Sequence, residues 1–296
     1  MSGKKRGARA PQLDPDSPLF GLGYAQPVQR REYFRFTGGT LRAEEGTVAE
    51  EAPVAFVYNG KPHAVMMATP ADLEDFAVGF SLSEQIVRSA DEVLHLDVVR
   101  HAQGMELQLQ ISDEAAVRLA ERPRNLVGRT SCGLCGVELI SDALRDIEPL
   151  ASGAHIEGDA LMRAESALPG RQAWNLETGA MHAAAWSTCD GELAVVREDV
   201  GRHNALDKVI GALGRDKRNA GEGFTVITSR ASYELVQKTA VARIPMLAAV
   251  SRPTGLAIRL AEVAGVALVG LLRNGTANIY ADPHGVLTMA TSGAHK

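Results

Sequence analysis

Cys132, Gly133, Leu134, Cys135 and Gly136 set two thiols two residues apart in a chain with three cysteines in all. That spacing suits thiol exchange, a persulfide carrier or half of a zinc site, and each chemistry asks something different of the remaining sequence. A closed zinc site needs four ligands, and without a second cysteine pair His182 or His203 would have to complete it. A zinc deaminase carries H-x-E ahead of P-C-x-x-C. Here the cysteine pair comes first, Ala184 stands where the glutamate belongs and Ser131 replaces the proline, so that chemistry is disfavoured. Thioredoxin-like exchange stays physically open, although no evident strand leads straight into the pair. For persulfide transfer the surroundings are right. Arg122, Arg124 and Arg129 precede the thiols, Gly128, Gly133 and Gly136 loosen the backbone, and Val137 to Arg145 reads as a helix beginning just after Cys135. Cations and a helix N-terminus both favour thiolate, so sulfur carriage fits best. Cys189, within an apolar run from Ala183, reads as a small buried hydrophobe.

A carried sulfur needs an acceptor site, and three apolar runs each end in arginine. Phe224 to Thr228 leads into Ser229 and Arg230, Met246 to Val250 into Ser251, Arg252, Pro253 and Thr254, and Val266 to Leu271 into Arg273, Asn274, Gly275 and Thr276. Parallel α/β sheets bind ligands beyond the carboxyl ends of their strands, and two of these ends precede helix N-termini that attract anions. Capping and solvation explain any one of them. Three together favour a phosphate-bearing, nucleotide-like ligand. The run Arg197 to Asn204, with Asp207 and Lys208 a turn later, is a second charged cluster and reads equally as site or structural ion-pair network. His182, after the Thr178–Gly179 turn, taken alone reads as a core histidine rather than a catalyst.

The elements that must hold these residues follow from periodicity. Residues 1 to about 28 are rich in Pro, Gly and charge and read as a disordered tail, with order starting near Arg31. Pro53 to Tyr58 and Lys61 to Met67 flank Asn59–Gly60 as a hairpin, followed by a helix with Thr69 as cap, Pro70 in its first turn and an apolar stripe of Leu73, Phe76, Ala77 and Phe80. Met105, Leu107, Leu109 and Ile111 alternate as a strand with one wet face, and Asp113 to Arg122 reads as a short helix. Beyond it, Ala183 to Val196 reads as a hairpin about Asp190–Gly191. Strands then alternate with helices over 206–213, 231–243 and 254–264, which implies βαβ units and at least partly parallel pairing. A strand from Asn278 to Tyr280 and a turn at Asp282 to Gly285 close the chain's folded part. The fold class is therefore α/β with an α+β N-terminal part. The expected division is a tail over 1–28, an N-terminal α+β domain over 29–125, a cysteine-bearing loop and linker helix over 126–150, and an α/β cofactor-binding domain over 151–296.

Composition bounds the function class. With 45% hydrophobic residues and a net charge of −5, the chain has ample core and no whole-chain nucleic-acid footprint. Its apolar stretches, Val263 to Leu272 for example, are too short to span a bilayer, and Lys4 to Arg9 runs into prolines and aspartates rather than a secretory core. A cytoplasmic location with reduced thiols is expected.

Thr69 to Phe80 (TPADLEDFAVGF), Arg129 to Gly136 (RTSCGLCG), Thr178 to Ala184 (TGAMHAA), Arg197 to Lys208 (REDVGRHNALDK) and Ser229 to Lys238 (SRASYELVQK) together resemble the FdhD family, the formate dehydrogenase accessory sulfurtransferases. The resemblance implies a cytoplasmic homodimer that takes sulfur from a cysteine desulfurase as a persulfide. It also implies delivery to the molybdenum bis(molybdopterin guanine dinucleotide) cofactor of formate dehydrogenase, and a cytidine-deaminase-like, three-layer α/β/α second domain with a mixed sheet. Carried over by position, Cys132 is the persulfide-bearing residue and Cys135 its assisting thiol. Leu271, Leu272, Arg273, Asn274, Gly275 and Thr276 form the cofactor-binding loop, with Arg230 and His203 beside it. GDP is the expected mimic, and no resident metal is expected. Two rival readings remain at this level, a non-enzymatic cofactor chaperone and a C-x-x-C thiol oxidoreductase.

Overall fold

The computed structural model describes residues 26–121, 147–151 and 154–288. Two sheets, each backed by helices, meet through those helices.

The first sheet joins β3 (Ala52–Tyr58), β4 (Lys61–Ala68), β5 (Val93–His101) and β6 (Gly104–Ile111) in the order β4-β3-β6-β5. Its centre, β3 against β6, is parallel, and both outer pairs are antiparallel. Period-two alternation puts Val54, Phe56, Leu107 and Leu109 on one face, and all four are buried. Helix α1 (Leu73–Ser83) covers that face. Its Phe76 and Phe80 rings lie 5.1 and 4.2 Å, centroid to centroid, from Phe56. Helix α2 (Asp113–Ala120) follows β6 and is capped by Ser112, which accepts from the Ala115 amide at 3.2 Å.

Ahead of this sheet, β1 (Val28–Thr37) and β2 (Thr40–Ala49), ten residues each, form an antiparallel hairpin that, among the described residues, pairs with no other strand. This hairpin is not read from the sequence, and its first strand starts at Val28, ahead of Arg31; residues 1–25, most of the expected tail, lie outside the described residues.

The second sheet has six strands in the order β13-β12-β11-β10-β8-β9. They are β8 (His182–Thr188), β9 (Leu193–Asp199), β10 (Gly223–Ile227), β11 (Met246–Ala249), β12 (Ala267–Arg273) and β13 (Thr276–Ala281). The pairings make β9, β10, β11 and β12 run in one direction, with β8 and β13 opposed. Helix α3 (Gly158–Ala167) packs on one face through Ala160, Leu161 and Ala164. On the other face lie α5 (Arg202–Arg215), α6 (Tyr233–Val241) and α7 (Gly255–Ala264). Short α4 (Ala173–Thr178) precedes β8 and rests against β2. Two-residue strands β7 (Ile156–Glu157) and β14 (Leu287–Thr288) pair in parallel. Leu150 already belongs to this core, so its packing begins slightly ahead of residue 151.

The halves join where α1 crosses α5 at van der Waals contact of their backbones. A Cβ on Gly79 would sit 1.7 Å from the Asp207 carbonyl oxygen, and one on Gly211 1.8 Å from that of Asp75. Glycine is required at both positions for the helices to approach so closely. Around this crossing lies a buried ionic network. Asp75 takes Arg197 at 2.7 Å and also Arg215. Lys208 donates to Asp199 at 2.6 Å and to the Thr69 carbonyl at 3.0 Å. Lys238 reaches both oxygens of Asp207 at 3.0 Å, Glu84 at 3.1 Å and Ser83 at 3.0 Å. Burial opposes the charge on Lys238, but Asp207, Glu84 and Glu234 outweigh it and hold the ammonium above lysine's ordinary pKa.

Thr69 departs from the sequence reading. Helix α1 starts at Leu73 behind Asp72, whose backbone is left-handed, so Thr69 caps nothing there. Its amide instead donates to Asp199 at 3.0 Å, its hydroxyl accepts from the Val200 amide at 3.1 Å, and the residue is fully buried between the halves. Tertiary partners won the hydroxyl that a local cap would have used.

Candidate functional site

Because four strands run the same way, their carboxyl ends open on one edge of the second sheet. The start of antiparallel β8 and the β12–β13 turn open there too. This edge gathers Arg202 and His203 after β9, Ser229 and Arg230 after β10, Ser251 and Arg252 after β11, Arg273 at the end of β12, and His182 at the start of β8. The three arginine-bearing ends foreseen from sequence therefore share an edge, with β10 and β12 roughly 10 Å apart at about 4.8 Å per strand. Arg230, Arg252 and Arg273 are exposed. Among the described residues, neither they nor Arg202 pairs with a carboxylate; the arginines that do, such as Arg197 and Arg215, lie away from this edge.

His203 is buried at the first turn of α5, with Nε2 3.3 Å from the Ser232 hydroxyl and 3.3 Å from a Glu234 carboxylate oxygen. It thereby ties the end of β9 to the start of α6, beside Arg230. Ser232 and Glu234 were missed as site residues because a hydroxyl and a first-turn acid ahead of an apolar stripe read as ordinary helix-start chemistry. Ser232 in fact makes no side-chain cap bond to α6. His182 is half-buried opposite Asp199 in the β8–β9 register. Burial first, then the Arg202 charge, push its pKa below the ordinary histidine value, against the pull of Asp199, so it is neutral at neutral pH.

Asp199 itself is structural. One oxygen accepts from Lys208 and the Thr69 amide, the other from the Gly201 amide at 2.8 Å and Asn204 at 3.0 Å. Glu198 accepts from the Trp174 and Asn175 amides at 3.0 and 2.8 Å, which pins the start of α4. The Asn175 side chain in turn accepts from the Met181 amide at 3.1 Å and so sets the chain entering His182.

The expected cofactor loop is a tight hairpin rather than a loop. β12 runs on to Arg273, Asn274 and Gly275 form the turn with φ of 53° and 71°, and β13 starts at Thr276. Leu271 has a left-handed backbone (φ 54°) and its amide donates to the Ser251 carbonyl at 3.2 Å, which binds this strand end to the one after β11. Leu272 is fully buried in the core, so its side chain is withdrawn from any ligand, while Arg273 to Thr276 are exposed at the tip. Cys132 and Cys135 lie outside the described residues. Cys189 is half-buried rather than enclosed. Its thiol donates to the Glu222 carbonyl at 3.2 Å, and burial, then Asp190 and Glu222, raise its pKa above that of a free thiol. No helix among the described residues is long and apolar enough to cross a membrane.

Chemically, the edge offers guanidinium groups for phosphates, a neutral histidine and a histidine–carboxylate pair. Similarity to known proteins sharpens this. The chain is 53% identical over 249 residues to the sulfur carrier protein FdhD of Xanthomonas euvesicatoria pv. vesicatoria (strain 85-10), covering 84% of this chain and 89% of that one. It is 47% identical over 277 residues to the sulfur carrier protein FdhD of Cupriavidus necator, covering 93% and 95%. Its fold matches the crystal structure of a Desulfotalea psychrophila chain ascribed a formate dehydrogenase accessory role, with a TM-score of 0.72 at 23% identity, over 88% of this chain and all of that one. The FdhD/NarQ family model matches residues 49–287, a span that holds the cysteine pair and every edge residue above, and the chain belongs to that family.

Proposed function

We propose that this chain is a cytoplasmic sulfurtransferase that carries sulfur on Cys132 and serves formate dehydrogenase. The observation that carries the reading is kinship over residues 49–287 with proteins named as sulfur carriers. In this reading, residues 29–125 and 151–296 are the two domains, the second is cytidine-deaminase-like, and two copies form the working homodimer.

The Cys132 thiolate attacks the terminal sulfur of a cysteine desulfurase persulfide. A new sulfur–sulfur bond forms at Cys132, the donor's bond breaks, and the donor cysteine leaves as thiolate. Delivery repeats the same displacement: an electron pair of the acceptor attacks the terminal sulfur, the sulfur–sulfur bond breaks and Cys132 leaves as thiolate, so the acceptor supplies both electrons of the new bond, with Cys135 as the assisting thiol. The acceptor is the molybdenum bis(molybdopterin guanine dinucleotide) cofactor, a substrate here rather than a resident group. The edge suits its phosphates, because Arg230, Arg252 and Arg273 stand exposed on one sheet edge without described carboxylates, and His203 fixes the start of α6 beside them. Leu271, Asn274, Gly275 and Thr276 offer backbone groups from the hairpin, while Leu272 serves the core.

Incubation with a cysteine desulfurase and sulfur-labelled cysteine tests the carrier step. Wild type should acquire a label released by reductant, and Cys132→Ala should not. A Cys132→Ala protein that keeps full label and still activates formate dehydrogenase would sink the transferase reading; a protein never labelled would point to a cofactor chaperone. For the acceptor site, calorimetry with GDP should show weaker binding by Arg273→Ala while sulfur loading stays intact.

A further inference from the structure

At the end of the helical layer opposite the carboxyl edge, the C-terminal ends of α1, α5 and α6 converge on a cleft of about 610 Å³. Its floor is apolar, built from Leu82, Ile210 and Leu213. Its walls carry four arginines from four separate stretches of chain, Arg88, Arg118, Arg218 and Arg243.

Three of these guanidinium groups are engaged in different ways. Arg118 pairs with Glu92 at 2.6 Å, yet its buried Nε–H has no acceptor among the described residues. Arg218 lies over the Trp186 ring, 5.5 Å from its centroid. Arg243 donates to the Glu148 backbone carbonyl at 3.3 Å and approaches, at 3.8 Å, the Glu148 carboxylate, which is 88% exposed and strongly hydrated. Among the described residues, Glu92 and Glu148 are the carboxylates within 4 Å of these four guanidinium groups. Basic residues near helix C-termini answer the partial charge of the last carbonyls, which accounts for Arg218 and Arg243. It accounts neither for the open volume nor for the unanswered Nε–H of Arg118, because a buried donor without an acceptor is costly.

The backbone marks the same place. Gln85 and Arg243, which line the cleft, and Lys217 beside it have φ of 56°, 61° and 51°, each directly after a helix C-cap. Glycine is the usual residue there, and α7 uses one, Gly265. At this cleft three helices instead end on residues with long polar side chains. From the apolar floor, the arginine walls and the unanswered donor, we infer that the cleft binds a small amphipathic organic anion, an apolar body bearing one carboxylate, sulfonate or phosphate. The site is separate from the carboxyl edge and does not rest on sulfur carriage.

The test uses the full chain and the dye anilinonaphthalene sulfonate, followed by fluorescence. One saturable site is expected, displaced by naphthalene acetate but neither by uncharged naphthalene methanol nor by GDP. Arg118→Ala and Arg218→Ala should each weaken binding about tenfold, the scale of one charged hydrogen bond, and Arg118→Lys should restore part of it. Displacement by naphthalene methanol as effective as by the acetate would overturn the anion site, as would unchanged affinity in both alanine variants. Calorimetry of naphthalene acetate on wild type guards against variants that fail to fold. Heat that fades with added salt supports the site, and binding indifferent to salt rejects it.

Discussion

Along the seam between α1 and α5 every buried charge meets an opposite charge or a row of amides, whereas along the carboxyl edge four arginines meet no described carboxylate. Both regions draw on one stretch of sequence. From Arg197 to Lys208, the side chains of Arg197, Asp199 and Lys208 turn into the seam, while Arg202 and His203 lie at the edge. Charge that holds a fold is neutralised in place, because an unpaired ion in a low-dielectric interior is intolerable. Charge left unmatched at exposed strand ends suits a ligand that supplies the counter-charge. The contrast separates scaffold from site where composition alone does not.

The sharpest way to break that distinction lies in the seam. Lys238→Met leaves Asp207 and Glu84 buried without their cation and should lower stability by about 3–5 kcal/mol in urea unfolding. A loss under about 1 kcal/mol would mean that the network is not what holds the halves. Next in size, Gly211→Ala drives a methyl into the Asp75 carbonyl and should cost about 3 kcal/mol, read as a lowered urea midpoint. At the edge the order inverts. Arg230→Ala should move stability by no more than about 0.5 kcal/mol while weakening GDP about tenfold by calorimetry. Stability loss on the seam's scale would make Arg230 a structural residue.

The smallest effect concerns pH. Histidine titrates near 6.5 in an unfolded chain, and folding holds His182 below its ordinary value. Between those two values the unfolded state binds more protons, so stability is fully present above the unfolded pKa and declines as pH falls through the window. His182→Gln should flatten the decline in urea midpoints below pH about 6.5. An unchanged slope would assign the acid sensitivity to other groups.

Much of this architecture was legible because periodicity and topology act locally. The stripe Leu73, Phe76, Ala77, Phe80 gave α1, and the alternation of strand and helix after residue 200 gave the shared carboxyl edge. The hairpin β1–β2 escaped because Arg30, Glu32, Arg35 and Glu44 interrupt its apolar positions and most of it is exposed, leaving only the Gly38–Gly39 turn as a signal. β5 escaped similarly, since His95, Asp97 and Arg100 blur its alternation. Thr69 shows a deeper limit. A hydroxyl ahead of a helix satisfies a local rule, yet its partners Asp199, Val200 and Met181 are more than a hundred positions away. The edge was legible as arginines at strand ends; that Ser232 and Glu234 would face His203 was not, because nothing local distinguishes them from a helix start.

The contact between Gly79 and Gly211 has a mechanical side. Two helices touching backbone to backbone, flanked by Asp75 on one side and Asp207 on the other, have no room to roll or slide without driving carbonyl oxygens into Cα atoms. The front edge and the rear cleft stand at opposite ends of the same α5, with Arg202 and His203 at one and Leu213 at the other.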